Sequence, residues 1–408
     1  MMSVVLRRFR KALQFVLIVV LIVIFAHALT WVVGKISLLD SLEQSVLDFD
    51  FTDIYYSGGY RPSPIDTNII LVNIGPLGKS GIARQIEILS QLNPKVLGVD
   101  VYFSLETDSA EAAYLWQVIN STPNIVLPSQ GYTRQDNSPP DSIVLPKNVA
   151  SLSSDFAGYA NINIPDDNPG VGTVRSFFSS TVIQNEHHYP FAAVIAKNYN
   201  QLSFNTYLKR NRPQEQINFT GHRMLFNEGS INDATYFTID YEDVLENNID
   251  GNFIKDKIIL LGYMGNNLYD KSPVDKFYSP MNERFAGRSL PDIYGVEIQA
   301  NMVSMILSGN YINQSEFIER FLDILLLFSA VIIFKFLFDR NEENYSIVSK
   351  IVVFIMINLM VIIPLLIYHF FLFKIDLRHG IFYLVFASDL FEVLYPKVRR
   401  IKFLAVAN

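Results

Sequence analysis

Asp100 closes the apolar stretch "NPKVLGVDVYF", so a carboxylate stands where a buried strand hands over to a loop. Asn73 and Gly75 end "NIILVNIG" in the same way, and Gly262 and Asn266 end "DKIILLGYMG" and its continuation, with Asp270 just beyond. Open α/β sheets bind their ligands in the crevice outside the carboxyl ends of the strands. These residues could therefore converge on a small ligand. The same residue types also cap strands and make turns, so a purely structural use competes. "GYMG" has the outline of a phosphate-cradling turn, but it lacks the Gly-rich loop and the lysine of a P-loop.

Other chemistries find little support. The chain has no cysteine, which excludes disulfides, thiol nucleophiles and thiolate metal sites. Of six histidines, His27 lies in an apolar run, and His369 and His379 flank the ends of two others. Adjacent His187 and His188 point to opposite faces of a strand and make a poor metal pair, and His222 stands alone. No HExxH or GxSxG arrangement occurs. The expectation is a protein with no catalytic residue, no metal and no cofactor. A net charge of -7 offers no basic face to nucleic acid.

The elements that must position these residues follow from periodicity. "NIILVNIG" is a continuous apolar strand, and Ile82, Ile86, Leu89 and Leu92 form one helical stripe after it. "NPKVLGVDVYF" is a second, Pro-bounded strand, so the three make a βαβ unit with parallel strands and a right-handed crossover. "PNIVLP" gives a third strand, and the polar stretch from Ser129 to Ser154 reads as a surface loop. "GYANINI" and "VRSFFSSTVI" read as strands, and "YPFAAVIAKNY" as a helix. "DKIILLGYMG" is another buried strand, and "YGVEIQANMVSMILSG" a helix with Val296, Ala300, Val303 and Leu307 on one face. The predicted fold is an α/β domain with a mainly parallel sheet, spanning 36–313.

Apolar runs flank that domain. The first, 12–35, follows Arg7, Arg8, Arg10 and Lys11, and at 1.5 Å per residue its apolar part covers roughly 33 Å, enough to cross a bilayer. "AHA" at Ala26 to Ala28 fits signal cleavage, whereas the run continues through Trp31 and Val33, as an anchor would. Either way the region after Lys35 lies outside the cytoplasm. Leu39, Leu42, Val46 and Phe49 pattern an amphipathic helix there. Three further runs, 321–338, 351–373 and 381–396, precede a cytoplasmic tail at 397–408. Basic residues in the turn after the second run and in "PKVRRIKF" agree with that topology, while "KIDLRHG" is an outside turn with some positive charge. The fourth run is short enough to be re-entrant. Asp323, Lys335, Asp389 and Glu392 lie in or near these runs, where they fasten helices together, sit close to the membrane interface, or line an ion pathway.

One helix, an outer α/β domain and three closely spaced membrane helices resemble the layout of the second type of CHASE domain, the cyclase- and histidine-kinase-associated sensory extracellular domain. The matching stretches are "VLDFDF", "NIILVNIG" with Arg84, "NPKVLGVDVYF" with Asp100, "DKIILLGYMG", Asp270 and Pro273 in "YDKSPVDKFYSP", and "PDIYGVEIQANMVSMIL". The chain departs from the family at "NIGP", where members often carry acids, and at Gln299, where many carry histidine. The resemblance implies a multi-pass protein of a bacterial plasma (inner) membrane. Its outer domain would detect an unknown small ligand and relay the event to a separate signalling protein, since no output domain follows the last helix. A homodimer is compatible with it. An envelope scaffold that recruits partners without sensing is the alternative.

Overall fold

Residues 69–73 of β1 (Asp66–Asn73) are buried without interruption, as are Val96–Val99 of β2 (Val96–Asp100). Such continuous burial belongs to strands covered on both faces by helices. The computed structural model describes residues 12–14, 16–25, 27–28, 50–57, 64–103, 109–134, 138–145, 156–164, 172–224, 234–282 and 290–400. The chain divides into two units, Asp53–Ile312 and a second made of Met1–Thr52 with Asn313–Asn408.

In the first unit the main sheet adds β3 (Ile125–Tyr132), β4 (Ser142–Val144), β5 (Ala157–Tyr159), β6 (His222–Arg223), β7 (Ala234–Ile239) and β8 (Ile258–Gly262). Its order is β6-β7-β1-β8-β2-β3-β4, with β5 also on β3. Every pairing is parallel except β3 with β4. The fold is thus the expected α/β class with a mainly parallel sheet.

Helices α1 (Lys79–Gln91) and α2 (Ala110–Ser121) cover one face. Ile82, Ile86 and Leu89 of α1 and Leu115 and Ile119 of α2 join Ile70, Val72, Leu97, Val99, Ile259 and Leu261 in one core. The Ser109 hydroxyl caps α2 by accepting from Ala112 N at 3.2 Å. On the other face lie α3 (Phe191–Tyr199) and α6 (Gly295–Ser308), with α4 (Gln201–Lys209) following α3 directly. A short helix, α5 (Tyr241–Leu245), follows β7. Residues 296–306 of α6 are buried without a break, so the single apolar face expected there is exceeded. Asn301 and Glu297 are buried as well, and their polar atoms are bonded within the fold.

One expected loop is partly a strand. Within 129–154, Gln130, Gly131 and Tyr132 pair antiparallel with Val144, Ile143 and Ser142. The β-branched pair Ile143–Val144 supplies the strand preference, and Thr181 Oγ1 donates to Pro140 O at 2.7 Å, fixing the turn between the two strands. "VRSFFSSTVI" yields two short strands, Ser176–Phe178 and Thr181–Ile183. The amphipathic helix expected at Leu39 to Phe49, the basic residues before the first run, Trp31, and the end of the tail lie outside the described residues.

The second unit contains an apolar helix, Ala12–Phe25, together with α7 (Glu316–Arg340), α8 (Tyr345–Phe371) and α9 (Arg378–Arg400). Ile18, Ile22, Leu327, Phe334, Tyr345 and Phe391 share its core. Helices α7 and α8 are long and apolar enough to cross a membrane. Their outward faces present Phe336, Phe354 and Phe370 at 60–70 % exposure, a surface suited to lipid rather than water. Asn313–Gln314 pairs in parallel with Phe373–Lys374, and the Lys374 ammonium bonds the buried Asp50.

Candidate functional site

Asn73, Gly262 and Asp100 stand abreast at the carboxyl ends of β1, β8 and β2, paired Asn73 to Gly262 and Gly262 to Asp100. Asn73 is fully buried. Its Nδ2 donates to Asp240 Oδ1 at 2.9 Å and to Gly265 O at 3.1 Å. Its Oδ1 accepts from Gly75 N at 3.0 Å and from Met264 N at 2.8 Å. All the hydrogen-bonding capacity of the carboxamide is thus used within the protein. Asn73 builds the rim of the crevice by tying the turns after β1 and β8 to the end of β7.

Gly75 and Gly262 are there for space. Gly75 has φ +54, and a Cβ on it would lie 2.3 Å from the Tyr241 ring. A Cβ on Gly262 would lie 2.7 Å from Val296, so the glycine lets α6 approach β8. Asn266 and Asp270 form a closed loop: Asp270 Oδ2 accepts from Asn266 N at 3.0 Å and Nδ2 at 3.1 Å, and its Oδ1 accepts from Ser272 N at 2.8 Å. The Asn266 and Ser272 N–H groups hold the Asp270 carboxyl below its usual range.

Asp100 is different. By strand alternation it faces the α3 and α6 side of the sheet. Its Oδ2 lies 3.9 Å from the point a Gly295 Cβ would occupy, beside the first turn of α6. It accepts no hydrogen bond among the described residues, and burial pushes its carboxyl up to about 7. Tyr102, two residues on, donates to Ser129 O at 3.3 Å. One turn into α6, the buried Gln299 reaches Ala160 O at 3.5 Å, and its Oε1 has no partner among the described residues. A carboxyl so placed can take up a proton or accept a hydrogen bond from a donor brought to it.

A second polar group gathers at the same end of α6. Arg223 donates to Met264 O at 2.9 Å and Leu268 O at 3.1 Å, with its guanidinium 4.7 Å from the Tyr294 ring centre. The Lys276 ammonium lies 4.9 Å from the same ring, and burial and the Arg223 charge push it below its usual range. Glu297 accepts from Tyr294 N at 3.0 Å and from Arg223 N at 2.9 Å. Burial alone would raise Glu297, but the His222 contact, the Arg223 charge and the Tyr294 N–H bring it to about 2. His222 lies between Asp292 at 3.9 Å and Glu297 at 3.8 Å. Isolated in the sequence, it joins a charge cluster in the fold. Arg223, Lys276 and the His222 ring face the acids Asp270, Asp292 and Glu297 here, so the cluster clasps the start of α6.

The CHASE2 domain model matches residues 17–335, most of the chain. The chain belongs to the CHASE2 family. No curated protein and no solved structure matches it. CHASE2 domains are sensory and extracytoplasmic, and α7 and α8 fit a membrane anchor beside one.

Within this CHASE2 domain, Arg223, Lys276, Asp292, Tyr294 and Glu297 escape residue-by-residue reading of the sequence. One signal was available: Glu297 follows Tyr294 by three residues, the spacing at which a side chain reaches back to cap a helix start. Arg223 offers no comparable signal, because the partners it joins lie some 40 residues or more away in sequence.

Proposed function

We propose that this CHASE2 protein is a multi-pass sensor of the inner membrane. Its outer unit binds a small extracytoplasmic ligand at the strand ends, and its helices relay the event to a separate signalling protein. The observation that carries this reading is a CHASE2 match joined in one chain to helices that are apolar enough to span a bilayer. Asp100, partly exposed and unbonded among the described residues, supports a binding role for the strand-end crevice. Binding chemistry suffices for this task, and no enzymatic step is invoked. A ligand acts by its differential affinity for two conformers of the outer unit.

Reporter fusions test the topology. Alkaline phosphatase joined after Asn211 is expected to be active, and a green fluorescent protein joined after Asn344 to fluoresce. Both joins reporting one compartment would remove the sensor reading.

A further inference from the structure

A cavity of about 430 Å³ opens beyond the carboxyl ends of β2 and β3. Tyr102 and Phe103 leaving β2, Trp116 of α2, Leu127 and Tyr132 of β3, and Val144 of β4 line it. None of its lining side chains among the described residues is charged, and its volume falls within the usual range for small-molecule sites. Phe103 and Trp116 meet edge to face at 6.0 Å and form a preset aromatic wall.

At its lining Tyr102, Tyr132 and Val144 remain 50, 49 and 41 % exposed. Large apolar groups gathered on one concave surface mark a recognition site rather than scattered surface residues. Gln130 also lines the cavity, and neither its amide nor the Tyr132 hydroxyl is hydrogen-bonded among the described residues. The cavity therefore combines aromatic walls with two uncommitted polar groups, the composition that fixes the orientation of a bound small molecule.

We propose that this cavity is a binding site for a small, uncharged aromatic molecule bearing a hydroxyl or amide. Aromatic walls favour flat apolar rings through edge and offset-stacked contacts. An ion would lose its water among the described walls, which offer no counter-charge. Gln130 and Tyr132 would bond the polar group. The proposal deepens the sensor reading by naming a ligand class, and it rests on that reading only for its biological purpose.

The test is fluorine NMR on the full chain in detergent micelles, with empty micelles as the baseline. The probes are 4-fluorobenzyl alcohol, which is uncharged, and 4-fluorobenzoate. Saturable broadening of the alcohol beyond the micelle baseline is expected, with none for the benzoate. Val144→Trp, which fills the cavity, should weaken binding more than tenfold. Tyr132→Ala, which removes one ring, should weaken it by about 3- to 10-fold. Both positions are on the exposed side of the sheet edge, and thermal melting verifies that each variant folds. Equal binding by wild type and both variants, or benzoate binding as well as the alcohol, overturns the proposal. Specific binding of the alcohol would stand even if the reporter fusions failed, so the two readings fail separately.

Discussion

Asn73 and Asp240, 167 residues apart in sequence, meet through one hydrogen bond of 2.9 Å that ties the end of β1 to the end of β7. With three further bonds, the same carboxamide fixes the turns at Gly75 and at Met264–Gly265. Asn73→Ala would leave two buried N–H groups and a carbonyl without partners, at about 1–3 kcal/mol for each group that water cannot reach. The expected outcome is a melting temperature lowered by several degrees in the full chain. Asn73→Asp should do no better, because Asp240 and a carbonyl would then face an acceptor.

Gly75→Ala brings a methyl group onto the Tyr241 ring in a left-handed backbone conformation. A loss of about 1–3 kcal/mol is expected. Adding Tyr241→Ala to Gly75→Ala should restore the steric part and leave the backbone part. A double-mutant cycle on melting curves measures the split. Simple additivity would show that the ring is not the obstacle.

How much of this was legible in sequence depends on distance along the chain. The strands ending at Asn73, Asp100 and Gly262 were readable because each is a continuous apolar run, and parallel pairing followed from the helix between the first two. Their side-by-side order was not readable: β8 enters between β1 and β2 only after some 150 further residues, and nothing local encodes that insertion. The roles of Asn73 and Gly75 were likewise hidden, since Asp240, Met264 and Tyr241 come from elements far along the chain. A strand-end Asn reads alike whether it offers its amide to a ligand or spends it on turns. Asp100 stood out by position, but its lack of a partner among the described residues is a property of the fold alone.

Asp100 gives a pH dependence of definite sign. Burial raises its carboxyl from 3.8 to about 7, so the folded state holds a proton that the unfolded state has released. Between those values stability falls as pH rises, and above about 7 it levels off. Asp100→Asn removes that slope. Because solvent still touches the residue, the gain at pH 8 is expected to be about 2 kcal/mol rather than the full shift. Melting curves of both proteins from pH 4 to pH 8 check it, and parallel curves would mean that water already solvates the carboxylate.

Glu297 runs the opposite way. Its folded value of about 2 lies below the ordinary 4.5, so its contribution is complete above 4.5 and is lost as pH falls through about 2. Glu297→Gln keeps the size but weakens the bonds to Arg223 N and Tyr294 N and removes the charge facing His222. At pH 7 a loss of about 2–4 kcal/mol is expected, with the gap to wild type narrowing below pH 4.5.

Asp389 and Glu392 separate a sensor from an ion pathway. Asp389 Oδ1 lies 3.7 Å from Lys350 Nζ, and the two side chains are 63 and 61 % exposed, so the contact joins α8 to α9 at an open surface. Such pairs contribute about 0–1 kcal/mol. The double variant Asp389→Asn, Glu392→Gln should melt within that margin of wild type and give unchanged reporter activities at Asn211 and Asn344. Proteoliposomes loaded with a pH-sensitive dye provide the decisive readout. A sensor gives the same proton flux for wild type, the double variant and empty vesicles. Flux present in wild type and abolished by the two amides would move these carboxylates from helix fastening to transport.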